Sequence, residues 1–240
     1  MLIDELRIYL FDGQPHLLAP LMESWLASSR RFTSFVTIFR DKIRKKLRTT
    51  QDQETLYDLR LELETAYLLL QERTLSLIYE PEQSKQVRSP DFAVTFTTSL
   101  TFMVEVTRLR AAPSSDGPLP LEGERLADAI CSKLGQFLPN RSNVLIVGMD
   151  LPSLAQNDLQ DIMLRIQQRA ERNESAFWLR YGFRDRADFF RHFQRLSEVL
   201  VRGSKMQADE PVVVAINPQA KHPLPGRVRT AIYHSHMHKA

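Results

Sequence analysis

The segment FAVTFTTSLTFMVEV, residues 92–106, constrains the fold more than any other part of the chain. Two runs rich in aromatic and β-branched residues flank a short polar stretch, the pattern of two strands joined by a tight turn. Successive side chains in a strand point to opposite faces. Phe92, Val94 and Phe96 therefore share one face, and Asp91, Ala93 and Thr95 the other. In the second run Phe102, Val104 and Val106 oppose Thr101, Met103, Glu105 and Thr107. A slip of one residue would send one apolar set to the wrong side, so the register is specified. A three-residue loop, Thr97 to Ser99, predicts Phe96 opposite Leu100, Val94 opposite Phe102 and Phe92 opposite Val104. One step further out, Asp91 falls opposite Glu105, with Cβ atoms about 5 Å apart, a spacing at which like charges destabilise a sheet. That repulsion calls for a shared proton, a basic neighbour or a divalent cation. Mg²⁺ or Mn²⁺ suits such a pair, since these ions take oxygen ligands and keep several waters. The other reading leaves one acid pointing to solvent at a strand end, or sets a different register.

The rest of the chain supplies elements to cover such a hairpin. From about His16 to Glu72 apolar residues recur at helical spacing, with Pro20 near one helix start and a break at "ASSR". Asp52 reads as the N-cap of a helix whose stripe is Leu56, Leu59, Leu63, Ala66, Tyr67 and Leu70. "TLSLIYE" reads as a strand and "AAPSSDGPLP" as the clearest loop. A helix over Gly123 to Phe137 and a continuous apolar strand, "NVLIVGM", come next. Helices near Asn157 to Arg172 and Arg186 to Arg202 and a last strand, "PVVVAI", complete the expected series. This order predicts an α/β fold: a mixed central sheet flanked by helices, with residues 1–50 as an N-terminal helical extension and 51–240 as the main domain.

With 240 residues, 43% of them hydrophobic and 25% charged, the chain can bury a substantial core. The single cysteine, Cys131, excludes an internal disulfide framework and suits a reducing compartment. "MLIDELRIYLF" carries acids within its apolar stretch, unlike a secretory leader. No apolar run approaches the roughly 18 residues of a membrane span. The expectation is a cytoplasmic protein without membrane partners. Net charge is only +3, but "FRDKIRKKLR" gathers Arg40, Lys42, Arg44, Lys45, Lys46 and Arg48 against the single acid Asp41. On a helix this run reads either as a phosphate-contacting element or as a solvated face.

Taken together, "PDF" with Pro90 and Asp91, and "VEVTR" with Glu105, resemble the PD-(D/E)XK nuclease superfamily, whose fold is restriction-endonuclease-like. The resemblance covers about Asp52 to Asp150 and implies an αβββαβ core. It also implies metal-dependent hydrolysis of DNA phosphodiester bonds by an endonuclease or exonuclease, with Mg²⁺ or Mn²⁺ held by Asp91, Glu105 and the Val106 carbonyl. The family's helix acid corresponds to Glu62, with Glu64 the less favoured choice. DNA is the implied partner, contacted by the basic run Arg40 to Arg48, and relatives that cut duplexes as dimers make a homodimer compatible. One position departs from the pattern, because Thr107 stands where the family has a lysine. Three accounts are open. The lysine has migrated to the next helix as Lys133, an arginine (Arg108 or Arg110) replaces it, or the chain is a catalytically inactive DNA-binding or scaffolding module of the same fold.

Two further features have ordinary readings. His234, His236 and His238 would share a face in a strand and suit zinc, but a loose solvated terminus is the simpler expectation. The aromatics of "FWLRYGF" contain the ingredients of a base-stacking platform, yet aromatics at this density more often form core.

Overall fold

The hairpin forms in the expected register. In the computed structural model, strands β2 (Phe92–Phe96) and β3 (Leu100–Leu109) pair antiparallel, with Phe92 opposite Val104, Val94 opposite Phe102 and Phe96 opposite Leu100. The structure describes residues 3–50, 52–81, 89–110, 122–149, 155–172, 175–203 and 212–236; the expected loop at 111–120 and His238 lie outside them. β1 (Leu75–Tyr79) pairs antiparallel with β2. On the other side of the hairpin, β3 runs parallel to β4 (Asn143–Met149) and β4 parallel to β5 (Leu196–Gly203), and β6 (Val213–Ile216) closes the sheet antiparallel to β5. The six strands lie in chain order, forming one mixed sheet.

Helices cover both faces, so the fold is α/β. Four precede the sheet: α1 (Ile3–Phe11), α2 (Ala19–Ser28), α3 (Arg30–Thr49) and α4 (Gln53–Gln71). Local signals set their limits. Pro20 lies in the first turn of α2, Ser29 caps α3 by accepting from the Phe32 N–H, and Asp52 caps α4 by accepting from Thr55 N–H at 2.8 Å. α5 (Glu122–Lys133) joins β3 to β4 and runs into a single 3₁₀ turn, while α6 (Gln156–Glu171), α7 (Ser175–Arg180) and α8 (Arg186–Phe193) lie between β4 and β5. α9 (Gly226–His236) follows β6.

Alternation along the strands sends side chains into two cores. Phe92, Val94, Phe102, Val104 and Ile146 pack with α1 to α4 and α9. Leu145, Val147, Val199 and Val201 pack with α5 to α8, where Phe177, Trp178 and Phe183 of the "FWLRYGF" segment are also buried. Leu6, Phe32, Phe35 and Ile43 of the first 50 residues belong to the same continuous core as Phe92. α4 approaches the sheet so closely that a Cβ at Gly148 would stand 2.6 Å from Leu61 Cδ2. No described helix is long and apolar enough to cross a membrane.

Two expectations need correction. Residues 186–202 do not form one helix: α8 ends at Phe193 and 196–203 are strand β5. Every residue of β5 is buried, so it lacks the half-buried alternation that marks a strand. Its polar residues find partners inside: Glu198 is paired with Arg229, and Arg202 with Glu64. Nor are residues 226–236 a loose terminus. This segment is helix α9, docked through Val228, Ile232 and the Arg229–Glu198 pair, with Tyr233 OH 3.2 Å from Glu198 Oε2. His236 is half-buried, and desolvation followed by the nearby Arg202 charge pushes its pKa down to about 3.

Candidate active site

β3 outruns its partner. β2 pairing ends at Phe92 opposite Val104, so from Glu105 to Leu109 β3 has, among the described residues, a strand neighbour only on the β4 side. Asp91 closes part of the open edge: the Val106 N–H donates to its Oδ2 at 2.7 Å. In a strand the N–H and C=O of one residue face the same side, so the Val106 carbonyl also faces this edge. The Glu80 N–H donates to the Asp91 carbonyl at 2.8 Å, tying the end of β1 to the Pro90–Asp91 step.

Three helices bring side chains to this edge. α5 packs on the Glu105 face of the sheet, and Lys133, its last residue, donates from Nζ to Glu105 Oε1 at 2.8 Å. Glu105 is 5% exposed, so this is a buried contact. α4 turns Glu62 toward Asp91, whose charge disfavours ionisation of Glu62. Glu64, two residues on, points elsewhere and pairs with Arg202. From α3, Lys46 Nζ lies 2.6 Å from Glu62 Oε1 and 2.8 Å from Glu80 Oε1, and 4.9 Å from the centre of the Tyr79 ring. The sequence-derived set Glu62, Asp91, Glu105 and Lys133 thus converges, and Lys46, Glu80 and Tyr79 join it.

The replacements considered for the absent lysine separate cleanly. Thr107 is half-buried and uncharged. Arg108 lies on the opposite face, where its guanidinium pairs with Glu54 and Asp58 of α4 and stacks 5.3 Å from the Tyr57 ring centre. Arg110 also pairs with Asp58. Of these candidates Lys133 alone, among the described residues, contacts one of the two hairpin acids, Glu105.

The basic run of α3 is largely engaged by groups of the chain itself. Lys42 donates to the carbonyls of Glu80 at 2.7 Å and Tyr79 at 3.2 Å. Arg48 and Arg44 pair with Asp12, and Arg44 and Arg40 stack over Tyr9. Lys45 is exposed and has no ion-pair partner among the described residues. A helix turns about 100° per residue, so consecutive basic residues cannot form one stripe. Residues four apart share a face, which explains why Lys42 and Lys46 both meet the end of β1 while Arg44 and Arg48 both meet Asp12. Lys46, expected as part of a DNA-contacting run, instead stands on Glu62 and Glu80, and Glu80, a single acid at a strand end, carries no sequence signal of its own.

Electrostatics follow from crowding acids at low exposure. Burial, then the Glu105 charge, pushes the Asp91 carboxyl up to about 7, against the opposing Val106 N–H, Lys46 and Lys133. Burial, then the Asp91 charge, brings Glu62 to about 7 against Lys46. The Tyr79 hydroxyl, buried beside Glu62, is raised well above its usual range. Lys46 is held above the usual lysine value, because Glu62 and Glu80 outweigh the cost of its burial. These acids ionise less readily in the folded chain than in the unfolded one. The stability they contribute is therefore complete below the ordinary carboxyl values of 3.8 and 4.5, and is lost as the pH rises through about 7. Thermal unfolding without divalent ions is expected to show stability falling from about pH 4.5 to about 7.5; Asp91→Asn should flatten that slope, and an unchanged slope would contradict the assignment.

The donor set is all oxygen, which suits a hard divalent ion. Two lysine ammoniums already stand on these carboxylates, Lys46 on Glu62 and Lys133 on Glu105. Among the described residues no group of three or more His, Cys, Asp or Glu is arranged to hold a metal. An ion here would rest on Asp91, Glu105, the Val106 carbonyl and water. Compared with known proteins, the chain matches no family model, no curated protein and no solved structure.

Proposed function

We propose that this chain is a metal-dependent nuclease of restriction-endonuclease-like fold that hydrolyses DNA phosphodiester bonds with Mg²⁺ or Mn²⁺. The observation that carries the reading is the 2.8 Å contact between Lys133 Nζ and Glu105 Oε1. It supplies, from α5, the positive charge that Thr107 lacks, beside the two facing acids of the hairpin. The chain order α4, β1, β2, β3, α5, β4 supports the same reading, since it parallels the αβββαβ core implied by the Pro90–Asp91 and Glu105 motif.

Each side chain then has a chemical task. Asp91, Glu105 and the Val106 carbonyl would hold the ion, whose chemistry would be to activate water and screen the phosphate. The Lys133 ammonium lies next to the ligand Glu105, where it stabilises the charge that develops on the phosphate in the transition state. Glu62, its carboxyl raised to about 7, accepts the proton of the attacking water, for which a pKa close to the working pH is efficient. Lys45, exposed on α3, contacts the nucleic acid backbone without reading its sequence.

Thr107 favours a second reading, a catalytically silent member of the same fold that binds DNA or scaffolds other proteins. Supercoiled and linear DNA incubated with Mg²⁺ or Mn²⁺ separates the two. Divalent-ion-dependent cleavage is expected, falling roughly 10²–10⁴-fold in Lys133→Met, the range that a positioned charge or proton donor contributes. Binding that weakens steeply with salt but never yields cleavage would favour the silent module.

A further inference from the structure

Glu62 is committed before any metal arrives. Its Oε1 is 2.6 Å from Lys46 Nζ, and the same ammonium is 2.8 Å from Glu80 Oε1. Lys46 does not reach this place by chance of a flexible side chain. α3 is anchored one turn earlier by Lys42, which donates to the Tyr79 and Glu80 carbonyls, and the Lys46 ammonium lies over the Tyr79 ring. Its side chain is 28% exposed and that of Glu62 12%, so the pair is only lightly screened by water. Charges around the edge are also nearly in balance. The four carboxylates of Glu62, Glu80, Asp91 and Glu105 face the two ammoniums of Lys46 and Lys133. When all are ionised two negative charges remain, which one divalent ion neutralises.

We propose that Lys46 is a built-in second cation: its ammonium occupies the position on Glu62 that a second divalent ion would need, so the site takes one metal ion. This rests on the metal-dependent reading above and specifies its stoichiometry. Two-metal centres place their ions roughly 3.5–4 Å apart and share carboxylates between them. Here, among the described residues, Asp91 has no lysine contact and Glu105 meets Lys133 through one oxygen, whereas the Lys46 ammonium is wedged between Glu62 and Glu80, and these acids do not form a three-ligand grouping. A second dication would have to displace Lys46 or leave excess positive charge in a poorly hydrated site. Lys46 thereby acts as a positioning residue, holding Glu62 as a proton acceptor and keeping it from becoming a ligand.

Mn²⁺ titration of the full chain, followed by electron paramagnetic resonance of free and bound ion, reads this directly. The wild-type chain is expected to bind about one Mn²⁺ with the six-line spectrum of an isolated ion. Lys46→Ala is expected to bind about two, with the broadened spectrum of a coupled pair, while Lys46→Arg, which restores the positive charge, returns to the wild-type count. Two ions in the wild-type chain would overturn the inference without recourse to any variant. So would a folded Lys46→Ala chain, verified by circular dichroism, that still bound a single isolated ion. Failure of the underlying metal reading looks different: no Mn²⁺ bound by the wild-type chain, or binding unchanged in Asp91→Asn, would remove the site itself.

Discussion

Asp91→Asn and Glu105→Gln are each expected to lower divalent-ion-dependent cleavage by more than the roughly 10–100-fold that loss of an outer partner of a metal ligand costs. Asp91→Asn is also expected to stabilise the metal-free chain at about pH 8, above the raised Asp91 carboxyl range. The opposing directions follow from one geometry. Without an ion, burial and then the Glu105 charge disfavour the ionised form of Asp91. Removing one charge relieves that repulsion. The replacement amides keep the hydrogen bonds. A side-chain amide oxygen at position 91 would still accept from the Val106 N–H, and one at position 105 from Lys133 Nζ, as the acids do at 2.7 and 2.8 Å. Adding Mg²⁺ stabilises the wild-type chain in proportion to the logarithm of its concentration over the dissociation constant, and the variants lose that increment. Melting curves with and without Mg²⁺, beside cleavage assays, test both arms. A variant that still cleaves, or an Asp91→Asn chain that melts lower without the ion and higher with it as wild type does, would refute the shared site.

Arg202→Met is expected to have the largest effect on stability, about 3–5 kcal/mol, because it removes the cation paired with a buried carboxylate. Glu64 is fully buried and Arg202 nearly so, and the two meet at 3.1 Å between α4 and β5. For a chain of this size the loss corresponds to a fall in melting temperature of roughly 6–20 °C. The double variant Glu64→Leu with Arg202→Met should recover much of the loss, as an apolar pair of similar volume often does in place of a buried ion pair. Denaturant unfolding measures both, and a single-variant cost below about 1 kcal/mol would show the pair to be dispensable. Mn²⁺ binding should not change, because this pair lies away from Asp91 and Glu105.

That pair also shows why one strand was illegible. Ser197, Glu198 and Arg202 place polar letters along β5 at positions that suggest an exposed helix face, yet all three are buried. A strand covered on both faces shows no alternation, and here interior partners on α4 and α9 offset the cost of burying charge. Only Val199 and Val201, β-branched and two apart, hinted at the strand. The C-terminal helix was hidden for a related reason, since its docking depends on Glu198 of that same strand.

The hairpin lay at the other extreme. Alternation with a period of two, a three-residue turn and the need to join apolar faces determined the register of β2 and β3 from Phe96 opposite Leu100 to Phe92 opposite Val104. Those are local rules, and they act over about a dozen residues. Asp52 as a cap and the apolar stripe of α4 were legible on the same grounds. What only the tertiary structure decided is which charges meet the acids. Lys46, Glu62 and Lys133 are separated from the hairpin by long stretches of chain, and reach it through the packing angles of α3, α4 and α5 on the sheet. Periodicity tells which face of a helix is apolar, but the ends of its charged side chains are placed by how that face docks. For this reason Lys46 read as part of a surface stripe in the sequence and stands, in the fold, on Glu62.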